Sequence, residues 1–362
     1  MRVLAVDVGF GTSDVLLYDS EAHEENRTHL VVPSATQVVA REIREATRRG
    51  APVVFTGPLM GGGPSTVAML RHVEQGLPFY ADPWAAKTFC DDLDEVTRMG
   101  VRLIDPGEAA GLLRAGAVAV RSGDLRPGDL LAALSLLGEA KPLDGVAVAV
   151  QDHGEAPPGV SDRVFRFQKL AELLGDAKDL ARLFFTAERI PTYFTRMRAA
   201  VSCVAGESLT RDLPCVVGDT GPAALWGAAL TAGGAPCLAV NYGNGHTLMS
   251  LVTDARIDGL FEHHTGQLTP ERMARHLRRF AAGELQNEEV LAEGGHGVLP
   301  VSAPFALGEV ELRVTGPNRR RFAGSAPHEV EAALHGDMMI TGCYGLLEGY
   351  RAAVGPDTAG AA

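Results

Sequence analysis

The sequence lacks closely spaced cysteines. Its five, Cys90, Cys203, Cys215, Cys237 and Cys343, form no CxxC pair and no three-cysteine group, which excludes zinc ribbons and iron–sulfur clusters. Cys215 and Cys237 lie inside apolar runs and are expected to be reduced core thiols. Basic surface is also scarce. The formal net charge is −12 and the one basic run is Arg319-Arg320-Arg321, expected to be a solvated turn. Nucleic acid and anionic membrane are therefore excluded as partners, because both need a cationic face to displace counterions. No apolar stretch reaches membrane-spanning length and the N-terminus carries no signal-peptide pattern, so a cytoplasmic protein is expected. Aromatics make up only 6%, whereas 42 glycines and 21 prolines imply many turns and few long helices.

At 362 residues the chain exceeds the usual size of one core, so two domains are expected, 1–233 and 234–362. Two distant segments share one design. In RVLAVDVGFGTSDVLLYD an apolar strand ends in Asp7, the turn Gly9-Phe10-Gly11-Thr12-Ser13 follows, and a return strand begins at Val15. Leu238–Val240 likewise leads into Asn241-Tyr242-Gly243-Asn244-Gly245-His246-Thr247 and a return strand over 248–252. Glycine turns let backbone amides approach an anion closely, and Thr12 and Ser13 add hydroxyl donors. Asp7 is placed to hold water on a magnesium ion. Just before the second unit, Val216-Val217-Gly218-Asp219 reads as a strand leading into a small-residue helix, Pro222–Leu230, suited to close interdomain packing. Asp219 fits a helix N-cap.

Between these units, 35–50 is an amphipathic helix, and the strand 52–55 runs into a loop with Gly61-Gly62-Gly63. That loop suits an anion, a substrate or a hinge, but no Gly-Lys-Ser/Thr follows to make it a Walker loop. The acidic stretch 91–95 is read as a solvated helix face. From 100 to 150 strands and helices alternate, ending in the buried strand Val146–Val150 and Gln151-Asp152-His153-Gly154. Ligands collect beyond the carboxyl ends of strands in α/β sheets, so Gln151, Asp152 and His153 are candidate substrate contacts. Residues 161–200 read as helical, with Arg163, Arg166, Arg182, Arg189, Arg196 and Arg198, of which one or two could reach an acidic ligand. Glu262, His263, His264 and His296 offer metal-ligand chemistry or a polar rim, although adjacent histidines face opposite sides of most backbones. The strand 310–314 ends in Thr315-Gly316-Pro317. A small-residue helix pair over 329–334 and 338–351 closes the chain, and the tail 355–362 is expected to fray.

The order of these parts resembles the acetate and sugar kinase/heat-shock/actin superfamily. Asp7 through Ser13 looks like its first phosphate loop. Gly218, Asp219, Ala223, Ala224, Leu225 and Gly227 are similar to a stretch of the glycerol and xylulose kinase group, with one extra residue after the aspartate. Tyr242, Gly243 and Gly245 match that group's second phosphate loop, with Asn244 in place of threonine. Thr315-Gly316 is a weak counterpart of the adenosine loop, with Pro317 where a second glycine is usual. The segments GPLMGGG, QDHG, EHHTG, GGHG and GDMM also resemble an uncharacterised prokaryotic family labelled as pyruvate formate-lyase activating enzymes.

The superfamily resemblance implies an α/β, two-lobed actin-like ATPase (ribonuclease H-like) fold with mixed sheets flanked by helices, binding ATP and Mg2+. It implies Asp219 as general base toward a small hydroxylated or carboxylated metabolite, with Asp7 and Asp219 holding Mg2+ through water. The turns Gly9–Ser13 and Gly243–Thr247 would cradle the β- and γ-phosphates and Thr315–Pro317 the nucleoside. Gln151, Asp152, His153, Arg163, His263 and His264 would face the substrate. Phosphoryl transfer asks mainly for positioning and charge neutralisation, which these groups supply. Two other readings stay open. One is an ATP-hydrolysing switch or an ATP-dependent amidohydrolase of hydantoinase type, and the other is a nucleotide-binding, actin-like structural protein. A homo-oligomer is compatible with all three.

Overall fold

The structure is a computed structural model and describes residues 1–358; the last part of the tail expected to fray, 359–362, lies outside these. The chain is α/β, with mixed sheets flanked by helices. Arg2–Val8 is apolar and buried along nearly its whole length, which makes it a central strand. Its sheet runs, in order, Thr28–Pro33, Thr12–Asp19, Arg2–Val8, Gly145–Val150, Cys215–Gly218 and Phe184–Thr186. Thr12–Asp19 is antiparallel to both neighbours, while Arg2–Val8, Gly145–Val150 and Cys215–Gly218 are parallel.

The second sheet runs Gly297–Leu299, Arg256–His264, His246–Thr253, Cys237–Tyr242, Glu311–Thr315 and Glu329–Glu331. His246–Thr253 is again the reversed strand, and Glu311–Thr315 and Glu329–Glu331 run parallel to Cys237–Tyr242. Leaving out the short strands Phe184–Thr186 and Gly297–Leu299, both sheets follow one order: third, second, first, fourth, fifth, with only the second reversed.

A third sheet, Val101–Leu103, Phe79–Ala81, Val53–Thr56 and Val118–Arg121, is wholly parallel. It is inserted between Thr28–Pro33 and Gly145–Val150 and has its own core around Ile43, Phe55, Met69 and Phe79. Strands and helices alternate over this stretch as expected, but they build a separate layer.

Two helices link the first sheet to the second. Thr220–Leu230, which follows the first sheet's strand Cys215–Gly218, packs on Cys237–Tyr242 and His246–Thr253 of the second sheet. Thr341–Thr358, which follows the second sheet, packs on Arg2–Val8, Gly145–Val150 and Cys215–Gly218 of the first. The helices cross through glycines: a Cβ at Gly227 would collide with the Thr341 carbonyl, and one at Gly345 with that of Ala223. Val3, Ala147, Leu225, Ala239 and Leu346 consequently belong to one buried cluster.

Three local expectations need correction. Glu329–Glu331 is a strand, not a helix; it pairs with Glu311–Thr315 at the sheet edge, where charged side chains reach water. Phe184–Thr186 is a short strand inside the stretch read as helical. Pro222 is the third helical residue, because Asp219 caps the helix by accepting from Gly221 N.

Candidate functional site

A cavity of ≈ 1230 Å³ opens at the strand ends of the first and second sheets. The turn after Arg2–Val8 and the turn after Cys237–Tyr242 meet across it. Their hairpins share a register, with Val8 opposite Ser13 and Tyr242 opposite Thr247. They close in the same way: Gly9 N donates to Thr12 O at 2.9 Å, and Gly243 N donates to His246 O at 3.0 Å. A Cβ at Gly11 would lie 3.0 Å from Nδ2 of Asn244, so the turns touch. Asn318 ties the next loop to the second turn, donating to Gly243 O at 3.0 Å. There Gly316 adopts φ +93°, and a Cβ would sit 2.5 Å from Tyr242 O, a position only glycine fills without strain. Gly9, Phe10, Thr12, Gly243, Asn244, Gly245, His246, Thr315, Gly316 and Pro317 all line the cavity. Gly11, Ser13 and Thr247 stand behind this lining.

Asp7 lies on the cavity wall with its Oδ1 buried and unpartnered. Burial, then the nearby Asp14 and Asp219, hold its carboxyl well above the usual range. Asp14 Oδ1 is also buried without a partner, and burial pushes its pKa up to about 7. Burial and a like-charged neighbour both favour the neutral form of such a carboxyl.

Asp219 is in a different state. Its Oδ2 accepts from Arg166 Nη1 at 2.6 Å and from Asp152 N at 3.2 Å. Its Oδ1 accepts from Arg166 Nη2 and from Gly221 N, each at 3.0 Å. Both oxygens are engaged, so in this arrangement Asp219 serves as a clamp and helix cap. Arg166 is fully buried and its Nε donates to Glu262, from the second sheet, at 3.0 and 3.2 Å. The guanidinium thus ties Asp219, at the end of a first-sheet strand, to Glu262 in the second sheet.

Gln151, Asp152 and His153 all line the cavity. Arg196 donates to Gln151 O at 2.7 Å and pairs with buried Asp124, which also accepts from Gly61 N at 3.1 Å. The Gly61-Gly62-Gly63 loop is therefore moored to the end of Gly145–Val150, and Gly63 presses on the Phe10 ring. Asp92 caps the helix Leu93–Arg98, as an acidic solvated face would. Asp91 and Asp92 both line the cavity.

The histidines sort by strand face. His264 lines the cavity beside His153 and His246. His263 points to the opposite side of Arg256–His264, toward His276 and Glu293. His263 and Arg163 are thus not among the lining residues; Arg163 donates to Gly295 O at 2.7 Å. Of the Arg319–Arg321 turn, Arg319 pairs with Glu331, and Arg321 donates to the carbonyls of Thr265 and Leu268.

A family profile described as "Putative pyruvate format-lyase activating enzyme (DUF1786)" matches residues 60–321. The chain belongs to this family. The matched stretch includes Gln151–Gly154, Asp219, the second turn, the histidines and Thr315, but not the first turn. Among curated proteins there is no match. Iron–sulfur clusters are held on closely spaced cysteine thiolates. Here the cysteines are all free and scattered, and burial pushes Cys215 up to about 12 and Cys237 up to about 11. Cys237 is a buried core residue, and Cys215 is partly buried against a core.

Proposed function

We propose that the chain is a two-lobed, actin-like enzyme that binds Mg-ATP between its lobes and transfers the γ-phosphoryl group to a small metabolite. The observation that carries this is the pair of hairpin turns, equal in register and closure, facing each other across one cavity with the orphaned Asp7 carboxylate on its wall. The repeated strand order and the crossed helices support the same reading. The residues fit a magnesium site, since Asp7 and Asp14 each keep a buried, unpartnered oxygen. The ion would neutralise charge on the β- and γ-phosphates. Amides of the two turns orient the phosphates, and the loop at Thr315–Pro317 lies where a nucleoside would rest. Arg196 and the Gln151–His153 segment face the remaining volume, which suits the acceptor. Asp219, saturated with donors, joins the lobes and takes up a proton only if Arg166 releases it.

A second reading, ATP-dependent amide hydrolysis, is favoured by the group of imidazoles at the same cavity, which an ordinary kinase acceptor site does not require. One experiment separates them. Isothermal titration with ATP and Mg2+ should show binding that Asp7→Asn abolishes, and turnover should rise with one member of a panel of hydroxy acids, polyols and cyclic amides. A phosphorylated product identifies the kinase and a ring-opened product the hydrolase. Absence of Mg-ATP binding at millimolar concentration overturns both.

A further inference from the structure

The two lobes bring together side chains that the nucleotide reading does not use. His153 stands just beyond the end of Gly145–Val150 in the first lobe, His246 at the start of His246–Thr253, and His296 just before Gly297–Leu299 in the second. Ligating nitrogens of all three lie within 4.8 Å of one another. Ring centroids of His246 and His296 are 4.6 Å apart, and His153 is 5.6 Å from each. His296 is 1% exposed, yet neither of its nitrogens has a hydrogen-bond partner, and His246 Nε2 is likewise buried and unpartnered. Buried imidazole nitrogens seldom stay unsatisfied.

We propose that His153, His246 and His296 form an interlobe site for a late first-row divalent cation of the zinc type. Three neutral imidazoles without an oxygen donor among them select Zn2+ or its neighbours over Mg2+ or Ca2+. Bonds of about 2.0–2.1 Å to a tetrahedral ion place nitrogens roughly 3.4 Å apart, so the rings need to approach by little more than 1 Å.

Outer groups are in place. The Gln151 amide lies 2.6 Å from His246 Nδ1; with its oxygen turned to that nitrogen it accepts Nδ1–H and leaves Nε2 free to ligate. Glu262 Oε2 lies 4.0 Å from His296 Nδ1, a carboxylate beside the ring but beyond hydrogen-bond distance. One guanidinium, Arg166, stands between two buried carboxylates, Asp219 and Glu262. Burial keeps the imidazoles neutral, with His153 pushed down to about 3 and His246 down to about 2. Three protein ligands leave a coordination position open, and His153 and His246 line the cavity from which it would be filled.

This assignment does not depend on nucleotide binding. The full chain, stripped with a chelator and titrated with Zn2+ and separately with Co2+, should bind one equivalent, and the Co2+ form should show visible d–d bands of a four- or five-coordinate site. His153→Gln and His246→Gln, from opposite lobes, should each weaken binding by more than the roughly 10–100-fold expected for the outer-sphere change Gln151→Leu. His263→Gln, which alters the separate group with His276 and Glu293, should leave it unchanged. Thermal melting checks that each variant is folded; His153, which is only partly buried, carries the test if His246→Gln does not fold. No stoichiometric binding of either ion, binding that survives both His153→Gln and His246→Gln, or binding lost in His263→Gln overturns the proposal.

Discussion

Replacing Arg166 by Met tests the buried charge arrangement between the two large sheets. Arg166, Asp219 and Glu262 are 0%, 1% and 0% exposed. At an effective dielectric of about 20, opposite charges roughly 4 Å apart attract by ~4 kcal/mol, and Arg166 makes two such contacts. Much of this offsets desolvation, but Arg166→Met leaves both carboxylates buried and unpaired, a loss of about 3–5 kcal/mol. The triple variant Arg166→Met/Asp219→Asn/Glu262→Gln removes every charge and should recover most of it. Burial already holds the Glu262 carboxyl above its ordinary range, opposed by Arg166; without the guanidinium it rises further. A carboxyl whose folded pKa is raised stabilises below its unfolded pKa of about 4.3 and loses that contribution as pH climbs through the folded value. The deficit of Arg166→Met should therefore be larger near pH 8 than near pH 5.5. Urea denaturation of the three proteins at both pH values gives the numbers. An equal deficit in single and triple variants, unchanged with pH, would mean that Arg166 acts through packing alone and would refute the electrostatic account.

Three further outcomes follow from the geometry. Asp14→Asn should stabilise the ligand-free protein by an amount that grows from near zero at about pH 4 to on the order of 4 kcal/mol above the raised pKa of about 7; paired urea titrations with no difference at pH 8 would contradict it. Gly345→Val forces a side chain into the Ala223 carbonyl and should cost at least about 1–3 kcal/mol, read as a fall in melting temperature, and an unchanged melt would show that the helix crossing yields. Asn244→Leu should weaken Mg-ATP about tenfold by removing a polar group at the meeting of the turns, the loss of ~1.4 kcal/mol, whereas unaltered titration isotherms would place the phosphates elsewhere.

The parts legible in the sequence were those set by local rules. Apolar runs broken by glycine turns marked both hairpins, and the run Val146–Val150 marked a buried strand. Small residues between 222 and 230 announced close helix packing, although not against Thr341–Thr358. Arg166 was one arginine among several in a helical stretch; its partners lie 53 and 96 residues away, and no spacing encodes that distance. The histidine group was hidden for the same reason, because its members come from separate strand ends. The adjacent pair His263-His264 did carry a local signal, since neighbouring residues on a strand face opposite sides, and one side faces the cavity. Sheet membership of 53–121 was not local either: strand and helix order alone does not say which hydrogen-bonded layer a strand joins.

Each of the two large sheets is covered by a helix that follows a strand of the other. A cut near residue 233 would give a front half whose sheet has lost the cover of Thr341–Thr358, and a back half deprived of Thr220–Leu230. Neither fragment should be soluble by itself, while the two expressed together could re-knit into one particle. Anyone wishing to study half of this molecule must bring the other half along.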